Sequence, residues 1–180
     1  MRFPGTLLAT VFFPLWLLKK WMLVGRRWRL RGSSVDRWYD EIDAHLVLGG
    51  ALFPGDMDAL RKIGVASVLS LCAEYVDDPH EGVVMHRISV HDDLAASREQ
   101  LLEAVSWIDS RVEKGEKVYV HCAAGRGRSV SVACAWLVKR HDLGTDAALT
   151  RIQAVRRVAK PTPWQLRAVR RLEAELRRKT

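Results

Sequence analysis

Apolar and polar residues alternate along this chain in blocks whose spacing predicts strands and helices in turn. Compact apolar runs bounded by turn residues predict buried strands at residues 44–50, 65–71, 83–90 and 117–121. The segments between and after them predict helices at residues 56–63, 129–140 and 146–158. Strands that alternate with helices indicate an α/β fold, with a central, mostly parallel sheet flanked by helices.

Two further helices are predicted from their first residues. Ser97 and Gln100 fit a capping box, and apolar residues then recur at helical spacing: Leu101, Ala104, Val105, Ile108 and Val112. Thr162 and Gln165 fit a second box, with Pro163 at the first helical position. The inward positions of that last helix are Leu166, Val169, Leu172 and Leu176. Thr145 is predicted to cap the helix over residues 146–158.

The N-terminal segment is different in character. Residues 3–18 carry no charge, Lys19 and Lys20 follow, and RRWRLR ends the segment. A spanning helix needs about 20 apolar residues, so residues 3–24 suffice if the two lysines reach the headgroups. Trp16, Trp21 and Trp28 suit an interfacial belt. We expect membrane association through residues 3–31, as a spanning hydrophobic helix or as one that lies on the surface.

The position of the charges orients this segment. Six basic residues lie between residues 19 and 31, so the positive-inside rule places the folded domain on the cytoplasmic side. The same charge lies on the wrong side for a cleaved signal peptide. A buried core helix followed by a basic linker is the remaining alternative. The predicted organisation is a membrane-associating segment at 1–31 and a catalytic domain at 32–180.

The net charge of +8 is distributed unevenly. Residues 1–31 hold seven basic residues and no acid, whereas residues 151–180 hold ten basic and two acidic residues. Basic ends suit an anionic membrane or a nucleic acid, and no nucleic-acid motif accompanies them, so no nucleic-acid partner is expected. The three cysteines match neither a zinc pattern nor a disulfide framework, which indicates a reducing compartment. No metal and no cofactor are predicted.

The segment HCAAGRGRS at residues 121–129 holds the candidate chemistry. It follows a predicted strand and precedes a helix, so its backbone amides and the helix N-terminus face one anion. Gly125 and Gly127 permit backbone angles that other residues rarely adopt. The predicted phosphate-binding residues are Ala123, Ala124, Gly125, Arg126, Gly127 and Arg128. The planar guanidinium of Arg128 matches two phosphate oxygens, and Arg126 adds a second positive charge.

Cys122 is the candidate nucleophile of this loop. Helix N-termini and cations lower the pKa of a thiol, so a thiolate is expected at neutral pH. Its attack on phosphorus would form a cysteinyl phosphate, which water then hydrolyses. Ser129 is predicted to donate a hydrogen bond to the sulfur, and His121 to orient the loop through its ring nitrogens.

The pattern His-Cys-x5-Arg-Ser resembles the protein tyrosine phosphatase superfamily, in particular its dual-specificity branch. The resemblance covers residues 38–175, and the stretch EIDAHLVLGGALFPGDMDALRKIGVASVLSLCAEY is similar to the small phosphatases that act on phosphatidylglycerophosphate. It implies a single dual-specificity-phosphatase-like domain and Asp92 as the general acid, with Asp93 as the alternative. It also implies Cys72 as a candidate redox partner of Cys122, with a core role for Cys72 left open.

These residues predict a metal-independent phosphatase. Two substrate classes and one non-enzymatic role are the alternatives for its function. A membrane lipid phosphate such as phosphatidylglycerophosphate is favoured by the N-terminal segment and by the resemblance. Many lipid-acting members have lysine where this chain has Ala123, which keeps phosphotyrosine and phosphoserine/threonine proteins as the second alternative. The third is a catalytically silent module that only binds phosphorylated ligands.

Overall fold

A computed structural model describes residues 38–178 of the chain. The predicted membrane-associating segment at 1–31 lies outside these residues, so it stays a prediction. Within residues 38–178, no helix is long and apolar enough to cross a membrane.

The described residues form a mixed five-stranded sheet. Its strands are β1 (Tyr39–Glu41), β2 (Leu46–Gly49), β3 (Val65–Cys72), β4 (Val84–Val90) and β5 (Lys117–His121), in the order β1-β2-β5-β3-β4. Only β1 pairs antiparallel, and the other three pairings are parallel. The α/β prediction and the mostly parallel sheet are therefore confirmed. β1 was not predicted, because three half-exposed residues carry no apolar periodicity.

Five helices flank this sheet among the described residues. They are α1 (Asp56–Lys62), α2 (Arg98–Val112), α3 (Arg128–His141), α4 (Thr145–Val155) and α5 (Pro163–Arg177). Both predicted capping boxes are present, at Ser97 with Gln100 and at Thr162 with Gln165. The predicted cap of α4 is wrong: Gly144 is its N-cap, and Thr145 lies inside the helix. The Thr145 hydroxyl donates instead to Glu173 Oε2 at 2.7 Å, which ties α4 to α5.

Burial is greatest where the phosphate loop is supported. β3 is buried along nearly its whole length, as expected of a central parallel strand covered on both faces. The eleven residues from Arg128 to Val138 of α3 are also buried, and its Trp136 is 1% exposed. The segment 122–127 is therefore held between a buried strand and a buried helix, which limits its freedom before any ligand binds.

Candidate active site

Four parallel strands end at one edge of the sheet, and their following loops bring the polar residues together. Glu74 and Asp77 follow β3, Asp92 follows β4, and Cys122 follows β5. The carboxyl ends of parallel strands share an edge, and the crevice there is where α/β folds bind ligands. The sequence predicted this location for Cys122 and Asp92, and the structure brings both to it.

The turn at residues 122–127 depends on Gly125 and Gly127 for different reasons. Gly125 has φ +64°, and a Cβ there would lie 2.4 Å from the Gly49 backbone. Gly127 has φ −120°, so its role is not a left-handed angle, which corrects the sequence interpretation. A Cβ at Gly127 would instead lie 2.8 Å from Gln165 Oε1. Gly125 therefore requires glycine for both conformation and space, whereas a side chain at Gly127 would have to displace the buried amide of Gln165.

Neighbouring segments hold the same turn through its carbonyl groups. The Ala51 amide donates to the Ala123 carbonyl at 3.1 Å, and the Lys160 amide donates to the Arg126 carbonyl at 2.8 Å. Buried Arg156 donates from Nε to the Gly125 carbonyl at 2.7 Å and from Nη1 to Asp40 Oδ2 at 2.6 Å. These three carbonyls are therefore occupied by donors from the residue 51 segment and from the connection between α4 and α5, which hold the turn in one shape.

Cys122 lies buried at the base of this turn, 3% exposed. Its Sγ is 3.5 Å from the hydroxyl of Ser129, as predicted for a hydrogen-bond donor to the sulfur. Burial opposes a thiolate, but the Arg128 charge and hydrogen bonds from Ser129 and the Gly125 backbone outweigh it, and they lower the pKa of Cys122. The sulfur is therefore arranged to ionise more readily than a free thiol.

The two edges of the Arg128 guanidinium have different surroundings. Its Nη1 donates to the Val90 carbonyl at 2.6 Å and to Glu74 Oε2 at 2.9 Å. Its Nε and Nη2 are buried and make no hydrogen bond within residues 38–178, although the exposed Asp92 carboxylate forms an ion pair with Nη2. Buried donors without acceptors are rare in native proteins, and two adjacent guanidinium donors match two oxygens of a phosphate. This edge is therefore suited to an oxyanion ligand.

Glu74 and Asp92 both approach Arg128. Glu74 is a residue that the sequence analysis missed: it pairs with Arg128 Nη1 and accepts the Asp92 amide at 2.8 Å. Burial opposes ionisation of Glu74, yet the hydrogen bond from Arg128 lowers the pKa of its carboxyl. Asp92 Oδ1 lies 2.9 Å from Arg128 Nη2, and 60% of its side chain is exposed. Asp92 is thus near the reacting position and open to substrate.

Asp93, the alternative acid, is oriented differently. Its φ is +61°, and its side chain makes no hydrogen bond or ion pair within the described part of the chain. Its carbonyl accepts a hydrogen bond from the Trp164 indole, and the carbonyl of Leu94 accepts one from Gln165 Nε2 at 2.9 Å. The first turn of α5 therefore holds the backbone of the loop at residues 91–97, called the acid loop below, and the carboxylate near Arg128 is that of Asp92.

His121 packs below the loop. The ring is fully buried, stacks on Tyr119 at 5.5 Å between centroids, and has Nε2 3.2 Å from Asp77 Oδ2. Apart from this contact with Asp77, neither ring nitrogen has a polar partner within residues 38–178. Burial opposes ionisation of Asp77, but His121 lowers the pKa of that carboxyl. The polar neighbour of the predicted loop-orienting histidine is therefore Asp77, which the sequence analysis had not selected.

The other two cysteines are buried free thiols like Cys122. Burial, with the charge of Cys122 as the next cause, raises the pKa of Cys72 well above its usual range. Burial also raises the pKa of Cys134, on α3, to about 12. Cys72 ends β3 and, like Cys134, packs in the core, and its redox role with Cys122 stays a prediction.

Comparison with known proteins identifies relatives of this arrangement. The sequence profile of the dual specificity phosphatase catalytic domain matches residues 55–175. The chain is 30% identical to phosphatidylglycerophosphate phosphatase PTPMT1 of Arabidopsis thaliana over 136 residues, which is 69% of the chain and 39% of that protein. It is 31% identical to PTPMT2 of the same plant over 71% of the chain and 59% of that protein. The chain thus spans well under two thirds of these two curated relatives.

Solved structures share the fold. A crystal structure of PTPMT1 in complex with PI(5)P superposes with a TM-score of 0.73 at 23% identity, covering 79% of this chain and 99% of the other. Tk-PTP in its active form superposes with a TM-score of 0.70 at 29% identity, covering 76% and 97%. The described domain thus shares its overall fold with these solved structures.

Proposed function

Because this chain belongs to the dual specificity phosphatase family, and is a phosphoric monoester hydrolase of that type, we propose that it acts on a membrane lipid phosphate through a cysteinyl-phosphate intermediate. The observation that carries the mechanism is the combination of Cys122 with the Nε–Nη2 edge of Arg128, which makes no hydrogen bond within residues 38–178 and faces the exposed carboxylate of Asp92. A phosphate that accepts hydrogen bonds from this edge and from the loop amides would hold its phosphorus next to the sulfur.

The first step breaks one bond and forms one. The Cys122 thiolate attacks phosphorus, the phosphorus–oxygen bond to the alcohol breaks, and Asp92 in its acid form donates a proton to the leaving oxygen. In the second step water attacks the cysteinyl phosphate and gives its proton to the Asp92 carboxylate. The sulfur leaves as a thiolate, which Ser129 stabilises by its hydrogen bond, and inorganic phosphate is released.

Asp92→Asn tests this assignment of the acid. The variant cannot donate the proton, so we expect kcat for an alkyl phosphate, a poor leaving group, to fall about 10²–10⁴-fold. Turnover of an aryl phosphate with an acidic phenol should fall much less, since that leaving group needs little protonation. Asp93→Asn is the matched control, because asparagine tolerates the left-handed angle at Asp93. A larger loss in the control would assign the acid to Asp93 instead.

The substrate class is proposed on three grounds. Two of the relatives described above are phosphatidylglycerophosphate phosphatases by name, and a structural neighbour was solved with PI(5)P. The N-terminal segment supplies the third, since residues 3–31 would hold the domain at a membrane with its active site on the cytoplasmic side. Cleavage of the C-terminal domain by a protease added outside intact cells would contradict that orientation.

A phosphoprotein is the second candidate substrate, favoured by the likeness to dual specificity protein phosphatase 1 of Arabidopsis thaliana, at 27% identity over 75% of the chain. Turnover of phosphatidylglycerophosphate in vesicles should be compared with that of phosphotyrosine and phosphothreonine peptides by the full chain. We expect kcat/KM for the lipid to be at least about tenfold higher, a difference of about 1.4 kcal/mol in transition-state stabilisation. A preference for either peptide would refute the lipid assignment.

The redox role of Cys72 is a separate part of the proposal. Because the pKa of Cys122 is lowered, peroxide is expected to oxidise its thiolate to a sulfenic acid, and the neighbouring Cys72 thiol would then attack this sulfur with loss of water. The product is a Cys72–Cys122 disulfide, which reductant reverses. Peptide mapping without reductant that finds Cys122 overoxidised and Cys72 unchanged would count against this role.

A further inference from the structure

A groove lies beside the acid loop and is not used by the proposed chemistry. A cavity of about 490 Å³ separates the segment that enters α2 from one face of α5. The charged and aromatic side chains that line it are Arg98, Trp164, Arg167, Arg171 and Glu175. Ser97, at the end of the acid loop, also lines it. Ala95, another lining residue, is three positions from Asp92, so it lies at most about 11 Å along the chain from the proposed acid.

The groove carries excess positive charge. Arg98 is paired, since its Nε lies 2.6 Å from Glu175 Oε2. Arg167 and Arg171 are exposed and make no hydrogen bond or ion pair within the described residues, 38–178. They stand four positions apart on α5, where like charges face each other and repel. An anion placed between them would remove this repulsion and gain two charge-assisted hydrogen bonds.

An exposed tryptophan lines the groove. Trp164 is 50% exposed, and Leu94, the residue before the lining residue Ala95, is 56% exposed. The Trp164 indole donates to the carbonyl of Asp93, so one side chain lines the groove and contacts the acid loop. Tryptophan beside arginine is a combination that favours the membrane–water interface, where the ring lies among headgroups and the cations meet lipid phosphates.

We propose that the groove formed with Arg167 and Arg171 binds the phosphodiester of an anionic membrane lipid and so seats the acid loop against the bilayer. This inference rests on the proposed lipid substrate, because the groove would orient the active site toward the surface that presents that substrate. The contact is separate from the phosphate loop: Arg128 meets the monoester to be cleaved, and the groove meets a diester that is not cleaved. Binding there would stabilise the acid loop through Trp164.

Vesicle binding by the full chain tests the groove without any hydrolysis. Phosphatidylglycerol in phosphatidylcholine vesicles has a phosphodiester but no monoester, so the phosphatase cannot cleave it. We expect Arg167→Gln with Arg171→Gln to weaken binding to these vesicles about tenfold, since each basic residue near an anionic surface contributes several-fold. The charge-retaining pair Arg167→Lys with Arg171→Lys should keep most of the affinity. Binding to pure phosphatidylcholine should be equal for all forms.

The matched control removes the same charge from α5 and its C-cap residue, away from the groove. Arg170→Gln with Arg178→Gln also lowers the charge by two, and neither residue lines the cavity. An equal loss in this control, or no loss in the groove variant, would overturn the proposal. Glutamine is a good helix former, so the groove variant should melt at the wild-type temperature. The control also loses the exposed ion pair of Arg170 with Asp146, and exposed ion pairs contribute little to stability, so its melting temperature should fall only slightly. A chain that prefers phosphopeptides but shows the expected vesicle binding would refute the lipid substrate and leave the groove standing.

Discussion

Cys122→Ser is expected to abolish turnover of every phosphate monoester, with kcat lower by about 10⁴-fold or more. A serine hydroxyl at this position stays protonated at neutral pH, because the surroundings that lower the pKa of the thiol are insufficient for an alcohol. The loop, its glycines and Arg128 remain, so phosphate binding should persist. Hydrolysis of an aryl phosphate in the presence of a chelator measures the loss, and isothermal titration with inorganic phosphate measures the retained binding.

Cys134→Ser provides the control for this prediction. Cys134 is a buried thiol on α3, and it has no place in the proposed reaction. Serine at position 134 makes the same replacement of sulfur by oxygen, and it should leave turnover of the folded protein within about twofold of wild type. Residual activity of Cys122→Ser near the wild-type rate, or turnover that requires a metal, would overturn the cysteinyl-phosphate mechanism. Tight binding without turnover by the wild-type chain would instead favour the silent phospho-ligand-binding module.

Arg128→Lys is the second large effect that we expect. Lysine keeps the positive charge but lacks the fork that offers Nε and Nη2 together to a phosphate. Removing an oriented donor from a developing oxyanion typically reduces kcat by 10²–10³-fold, and we expect a loss of about that size. The variant also loses part of the network to Val90 and Glu74, which leaves the partly buried carboxylate of Glu74 less well compensated.

The same variant should change the pH dependence of the nucleophile. Arg128 is the main stabiliser of the Cys122 thiolate, so a less well placed charge allows the pKa of Cys122 to rise. In the wild type, whose folded-state pKa is lowered, the thiolate persists as pH falls below the range of a free thiol. We therefore expect the acid limb of kcat/KM to move to higher pH in Arg128→Lys. Alkylation of Cys122 by iodoacetamide across pH gives the same midpoint independently, and an unchanged midpoint would contradict the assignment.

The order of elements and the phosphate loop could be predicted from the sequence because they depend on neighbours along the chain. Apolar runs of strand length indicated β3, β4 and β5, and capping boxes placed the first residues of α2 and α5. The loop at 121–129 joins a strand to a helix, so its cysteine, glycines and arginine were adjacent in the sequence. The general acid needed more than local pattern, and the family resemblance provided it.

Only the tertiary structure decided which segments distant in the sequence contact each other. Glu74 meets Arg128 from 54 residues away, and Asp40 meets Arg156 from 116 residues away. No local periodicity marks such carboxylates, because their role arises only when parallel strands bring their carboxyl ends to one edge. The same is true of Asp77 beside His121 and of the two arginines that α5 turns toward the acid loop. The sequence determined that a thiolate and an arginine share one loop, and the fold determined which carboxylates surround them, since burial and charge act through space.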